Sequence, residues 1–300
     1  MAQDFTTTGL LASLKRRGML NSNSDALDDT DYLAVATEEL QSYVMPWLIS
    51  LREEHGVADY DVTLVSGTAA YRVPPRACGD ALRSVLVAVS GSTDYVPLDR
   101  IDPQDAAWYG STGGVVGYYF QDTDLVVVPT PAAAGSLRLK YHKRPSKLVA
   151  TSAVATISSI SGSRLVITTT STIPSTITAS SIVVDVVDNV PGFKTLAMDY
   201  VTTATTSGTT ITLTTALPSS VAAGDYVCLA GEAPVAQIPV ETHPLLVQRV
   251  KAICLEALGD PKWKAADDLA VRMKKEIAPA LTPRTKGSVR PLVNRNGPGF

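Results

Sequence analysis

SRLVITTTSTIPSTITASSIVVDVV, Ser163 to Val187, decides how this chain is divided. Two β-branched runs, SRLVITTT (163–170) and SSIVVDVV (180–187), flank a Ser/Thr/Pro segment, and a third, TTITLTTAL, follows at Thr209–Leu217. Branched side chains pack well on a pleated surface, and the Gly, Pro, Ser and Asn residues between the runs are turn formers. A disordered Ser/Thr-rich stalk is the competing reading, but such a stalk lacks apolar residues to bury, whereas these runs are built of Val and Ile. From Thr151 to Ala230 more than a third of the residues are Ser or Thr, and Lys and Arg nearly vanish. Residues 151–232 therefore read as a separate β domain, a small sandwich or barrel with hydroxyls on its solvated face.

Working outward, helices return on the C-terminal side. In THPLLVQRVKAICLEALGD (242–260), Leu246, Val250, Ile253 and Ala257 form one stripe with Cys254 and Leu258 beside it, and Gly259 stands where a C-terminal cap belongs. Asp260-Pro261 opens a second helix, in which Trp263, Ala266, Ala270, Met273 and Ile277 face a partner until Pro279 is expected to stop it. On the N-terminal side Thr8–Arg17 reads as a short turn ended by Gly18. Leu33, Ala36, Leu40, Val44, Trp47 and Leu51 then share one helix face, with Thr30 as expected N-cap, Gly56 as stop and a bend near Ser42 caused by Pro46. Between the helices and the β domain, residues 59–150 alternate as strands: Val62 with Leu64, then Val85, Val87 and Val89, then Leu137, Leu139 and Tyr141. Asp102-Pro103 starts a short helix that Gly110 closes.

The expected architecture is α+β: a helical-bundle body formed by residues 1–58 and 233–281 with the strand-rich 59–150, an inserted β-sandwich or barrel-like domain, and an extended C-terminal arm, 282–300. The arm, TPRTKGSVRPLVNRNGPGF, has no periodicity and no acidic side chain, but carries Arg284, Lys286, Arg290 and Arg295.

Several function classes are disfavoured. The formal charge of −3 is too small to draw nucleic acid to the whole surface. No stretch approaches the roughly 18–20 uninterrupted apolar residues of a membrane span, and MAQDFTTTG lacks the basic and apolar regions of a secretion signal. Cys78, Cys228 and Cys254 are widely spaced with no C-x-x-C, so they read as buried free thiols and not as a disulfide framework or zinc site. His55 is expected to interact with a helix C-terminal dipole, and neither His142 nor His243 has the carboxylate or cysteine spacing of a metal ligand. GSTGGVVG (110–117) lacks the Gly-Lys-Ser/Thr ending of a phosphate loop, and no G-x-S-x-G elbow is present. No cofactor is implied.

In YRVPPRACGDALRSV (71–85), Pro74-Pro75 holds the chain extended, Gly79 permits a turn and ALRSVLVAV enters a strand. Cys78 has arginines on both sides but no neighbouring base, which favours a structural thiol. Arg76 and Arg83 remain to be explained, and their forked guanidiniums suit carboxylates on another subunit.

YRVPPRACGDALRSV, LRLKYHKRPSKLV (137–149), GDYVCLAGEAPVAQIP (224–239), HPLLVQRVKAICLEALGD (243–260) and LTPRTKGSVRPLVNRNG (281–297), taken in order, resemble the head-to-tail adaptor proteins of tailed bacteriophages. The resemblance runs from about residue 25 to the end and is least distinctive from Thr151 to Ile182. It implies a non-enzymatic virion protein at the neck, assembled in the host cytoplasm. Copies of it, commonly twelve, form a ring that joins the portal to a tail or nozzle protein and lets double-stranded DNA pass without sequence-specific contacts. The C-terminal arm would then reach the portal, with Leu292, Val293 and Phe300 as apolar anchors and Arg284, Arg290 and Arg295 paired to acidic portal residues. Two other classes compete. A carbohydrate-binding β module would have to stack sugars on Phe193, Tyr200 or Tyr226. A hydrolase would have to draw its carboxylates from Asp185, Asp188 and Asp199.

Overall fold

Residues 7–18 are more than a turn. In the computed structural model, which describes residues 4–18, 27–89, 94–110, 112–178, 181–206 and 208–282, they form α1 (Thr7–Gly18). Its Leu10 and Leu14, one turn apart, are buried in the bundle core. The next helix, α2 (Asp29–Glu39), is capped by Asp28 and not by the expected Thr30. The Asp31 N–H donates to Asp28 Oδ1 at 2.8 Å and the Asp28 N–H to Asp31 Oδ2 at 3.0 Å. This reciprocal box satisfies two orphan donors and puts negative charge at the positive end of the helix dipole, which Thr30 could not do. Where a bend near Ser42 was expected from Pro46, the structure shows a change of hydrogen bonding. Because Pro46 lacks an N–H, the helix widens just before it into a π-helical turn, Leu40–Val44, where the Met45 N–H reaches back five residues to the Leu40 carbonyl, before α3 (Met45–Leu51) resumes. Leu33, Ala36, Leu40 and Val44 stay on one buried face across this change.

The strand-rich segment runs β1 (Val57–Leu64), β2 (Ala70–Arg72), β3 (Ala77–Val89), β4 (Val96–Arg100), β5 (Thr112–Gly113), β6 (Gly117–Gln121), β7 (Asp124–Val128), β8 (Thr130–Pro131) and β9 (Gly135–Lys143). Seven of these form a sheet in the order β1-β9-β3-β4-β6-β7-β2, and β5 and β8 pair separately. Alternate residues of this sheet, Leu64, Val85, Leu98, Tyr118, Leu125, Leu137, Leu139 and Tyr141 among them, meet in one core. The Gly-rich 110–117 stretch serves packing: β4 and β6 run parallel with Asp99 opposite Gly117, and a Cβ at Gly117 would lie 2.8 Å from the Asp99 carbonyl oxygen. The helical turn expected after Asp102 is a 3₁₀ turn, Asp105–Tyr109, ended by Gly110.

The inserted domain is a barrel. The chain leaves the body through β10 (Lys147–Leu148) and returns through β17 (Glu232–Ala233), which pairs with it in parallel, so entry and exit lie side by side. Between them β11 (Ala155–Ile160), β12 (Val166–Thr169), β13 (Val183–Val187), β14 (Thr195–Thr206), β15 (Thr210–Leu213) and β16 (Tyr226–Leu229) close in the order β11-β12-β15-β14-β13-β16. Closure leaves no free sheet edge. Ile157, Ile167, Ile177, Val184, Val186, Ile211 and Val227 fill it. Strand β13 is buried on both faces: Val184 and Val186 point into the barrel, whereas Val187 joins Val149, Phe193, Cys228 and Val235 in a second core shared with the body.

Two helices complete the bundle, α4 (His243–Ala257) and α5 (Trp263–Leu281). At the end of α4 the Gly259 N–H bonds the Glu256 carbonyl and the Asp260 N–H the Leu255 carbonyl, both at 2.9 Å, with Gly259 at φ +70°: a Schellman cap at the glycine foreseen. The buried stripe of α4 differs from expectation, since Ala257 is exposed and Leu246, Val247, Val250 and Cys254 carry the contact with α1 and α2, while Ala252 and Leu255 meet Ala266 of α5. Sandwiched between two neighbours, α4 buries a broader arc than a single stripe. Pro279 does not end α5, which continues to Leu281 and closes with the Thr282 N–H and hydroxyl both on the Ala278 carbonyl. So near a helix end, the one bond that a proline removes is a small loss. Arg249 fastens the three helices: it bonds Glu39 of α2 at 2.7 Å, pairs with Asp267 of α5 and lies over the Tyr43 ring. No helix among the described residues is long and apolar enough to cross a membrane.

Candidate functional site at the joint between sheet and barrel

Arg76 lies on the Pro74-Pro75 corner that enters β3, where the Ala77 N–H closes a turn on the Pro74 carbonyl at 2.8 Å. From there its guanidinium spans two barrel carboxylates, Nη1 to Asp185 Oδ2 at 2.6 Å and Nη2 to Asp199 Oδ1 at 2.9 Å. Asp185 is fully buried on β13, and also accepts the Asp199 and Gly231 backbone N–H groups at 3.0 Å each. Burial works against the charge on Arg76, yet the hydrogen bond and charge of Asp185, and then Asp199, hold its pKa above the ordinary arginine value. Burial raises the pKa of Asp199 despite Arg76; the Asp185 pair is the shorter of the two, and its carboxylate is the one fully out of water. Arg76 was expected to reach another subunit; within this chain its fork is engaged by carboxylates, Asp185 lying 109 residues away in sequence. Arg83 is exposed, with Nη2 3.7 Å from Glu54 Oε1 and Nη1 3.4 Å from the Glu53 carbonyl.

Beside this pair stands Lys143, the last residue of β9. Its Nζ donates to Thr195 Oγ1 and, at 3.1 Å, to Gln237 Oε1, which also accepts the Ser146 hydroxyl at 2.9 Å. Gln237 returns its amide to the Phe193 carbonyl at 3.1 Å and to Thr195 Oγ1 at 2.8 Å. Burial pushes the Lys143 amine down to about 8, with the nearby Asp185 charge opposing. Lys143 lines a cleft of about 760 Å³ between body and barrel, whose walls include Met45, His55, Asp59, Phe193 and Met198. Burial first, then Arg52, lower the His55 pKa, which favours a neutral ring over the expected charge–dipole interaction.

The chemistry of this joint is that of a fastening. Asp185 and Asp199, two of the three carboxylates considered for hydrolysis, belong to the Arg76 pair, and Asp188 accepts the Val190 N–H at 2.8 Å in a turn. Phe193, a candidate sugar platform, is buried between Phe5 and His243 at ring distances of 5.9 and 5.7 Å. Cys228 and Cys254 are buried and burial raises both thiols, Cys254 to about 11, in keeping with structural thiols. Among the described residues no group of three or more His, Cys, Asp or Glu could hold a metal ion. Lys143 and Gln237 escaped sequence reasoning, and the one signal for Lys143 was its place in the Tyr141–Arg144 basic run. Arg284, Arg290, Leu292, Val293, Arg295 and Phe300, expected to bind the portal, lie outside the described residues.

Comparison with curated proteins finds no match. The family model described as SU10 adaptor protein matches residues 6–166, more than half of the chain. The match takes in α1 to α3, the whole seven-stranded sheet with Arg76, and the barrel's first strand. The chain therefore belongs to the SU10 adaptor protein family and is a structural adaptor protein of phage particles.

Proposed function

We propose that the protein forms a ring at the neck of the virion, between the portal and a tail or nozzle protein, through whose centre double-stranded DNA passes. The observation that carries this reading is the adaptor-family match over the helices and the sheet. Twelve copies is the number that the resemblance implies, with assembly in the host cytoplasm. The fastening of barrel to body supports the same reading, because a subunit under the pressure of packaged DNA benefits from a rigid joint: Arg76 reaches Asp185, Lys143 reaches Thr195 and Gln237 reaches the Phe193 carbonyl across it.

The C-terminal arm supplies the portal contact. It follows α5, and its sequence offers Leu292, Val293 and Phe300 as apolar anchors with Arg284, Arg290 and Arg295 as cations for acidic portal residues. Ordering such a segment costs about 1–2 kcal/mol per residue of backbone entropy. Parallel attachment of many arms offsets weak individual affinity through effective concentration. Truncation after Pro283 is expected to leave the circular dichroism spectrum unchanged while abolishing co-sedimentation with portal rings. Undiminished co-sedimentation of the truncated chain would refute the role of the arm.

A further inference from the structure

The connection from β4 to β6, residues 101–116, exposes Trp108 by 86%, Val116 by 55% and Tyr109 by 41%. A tryptophan this exposed is unusual for a surface that meets only water, since its large ring forfeits most of its burial energy. The same connection carries exposed Asp102 and Asp105, and Asp99 precedes it; none of the three forms an ion pair among the described residues, and the one cation between them, Arg100, lies over the Phe120 ring. This is an acidic, apolar surface mounted on the sheet.

Its complement occurs elsewhere on the same chain. Helix α5 turns Ala266 and Ala270 inward, so residues 264, 268, 271, 272 and 275 share its opposite face by helical spacing. That face holds exposed Lys264, Arg272 and Lys275 against Asp268, with Val271 among them and Leu269 and Glu276 at its flanks, Val271 and Leu269 each 40% exposed. Arg272 and Lys275 have no ion-pair partner among the described residues. The two surfaces stand on separate cores, one on the sheet and one on the bundle.

We infer that the Trp108 surface of one copy docks on the outer face of α5 of the next. The pairing is opposite in charge and apolar at its centre, and it joins unlike faces of identical chains. A contact of that kind is heterologous, so repetition with a closing rotation makes a ring. Charges at its rim set orientation and partner choice, while Trp108 acts as the buried anchor. The inference rests on the ring reading above and adds to it which surfaces meet.

The test uses a Cys78→Ser background, with Ala107→Cys, exposed beside the retained Trp108, and Val271→Cys introduced singly and together, a short bis-maleimide, and portal rings as the scaffold for assembly. The doubly substituted chain is expected to give a ladder of cross-linked oligomers. Mixing the two singly substituted chains is expected to give the mixed dimer, and neither alone should cross-link. Trp108→Ala is expected to weaken association roughly tenfold or more, and Asp102→Lys with Asp105→Lys to block it unless the neighbour carries Arg272→Glu and Lys275→Glu. Rings of the unsubstituted chain combined with absence of the mixed dimer would overturn this contact alone, as would cross-linking of the Ala107→Cys chain to itself. Failure of the unsubstituted chain to assemble would remove the ring and the contact together.

Discussion

Replacing Arg76 with alanine is expected to cost about 3–5 kcal/mol of stability, the range for removing one partner of a buried ion pair. Asp185 has no exposed surface and would keep the Asp199 and Gly231 N–H groups as hydrogen-bond donors, with the Lys143 amine as the nearby charge. The loss comes from stranding that carboxylate, and not from the intrinsic strength of the pair, because taking both ions out of water has already used up much of their attraction. Arg76→Lys should cost less, since an ammonium restores charge beside Asp185, but it cannot span Asp185 and Asp199 at once as the fork does. Urea unfolding followed by circular dichroism measures both. A loss under 1 kcal/mol for Arg76→Ala would show that water or rearrangement replaces the guanidinium, and that the joint is held by its apolar contacts.

Acid should weaken the fold through His243. The imidazole opens α4, is 5% exposed, and stands edge-on to Phe5 and Phe193 at 5.1 and 5.7 Å. Among the described residues its Nε2 has no hydrogen-bond partner. Burial is the main reason its pKa falls from 6.5 to about 4, with the Ile238 and Ala236 carbonyls and Glu241 opposing. Between those two values the unfolded chain takes up a proton that the folded chain refuses, so unfolding becomes more favourable as pH falls. Stability is intact above about pH 6.5, and declines to a total loss of about 3 kcal/mol by pH 4, at roughly 1.4 kcal/mol per pH unit. His243→Phe keeps an aromatic ring against Phe5 and Phe193 without a titrating group, and is expected to flatten the pH dependence of urea unfolding between pH 6.5 and 4. An unchanged slope in that variant would assign the acid sensitivity to other groups.

What could be read from the sequence was what neighbouring residues decide. Branched runs from Ser163 to Leu217 announced the β domain, Gly259 marked a helix end, and the 3.6-residue spacing of Leu33, Ala36, Leu40 and Val44 found their common face. Local competition was harder: Asp28 displaced Thr30 as cap because a carboxylate can form the reciprocal box with Asp31. Pro279 sits too near the end of α5 to break it. The joint itself was not legible, because Arg76 meets Asp185 across 109 residues and Lys143 meets Thr195 across 52. Those pairings depend on how barrel and body are docked, which no local pattern encodes. Asp185 carried one clue: a single carboxylate inside SSIVVDVV must find a cation or stay protonated.

The ring is tested most directly by imaging purified protein mixed with portal rings in negative stain. A symmetric ring of this chain seated on the portal, coaxial with its channel, is the predicted result. Subunits that remain single and leave the portal bare at saturating concentration would contradict it.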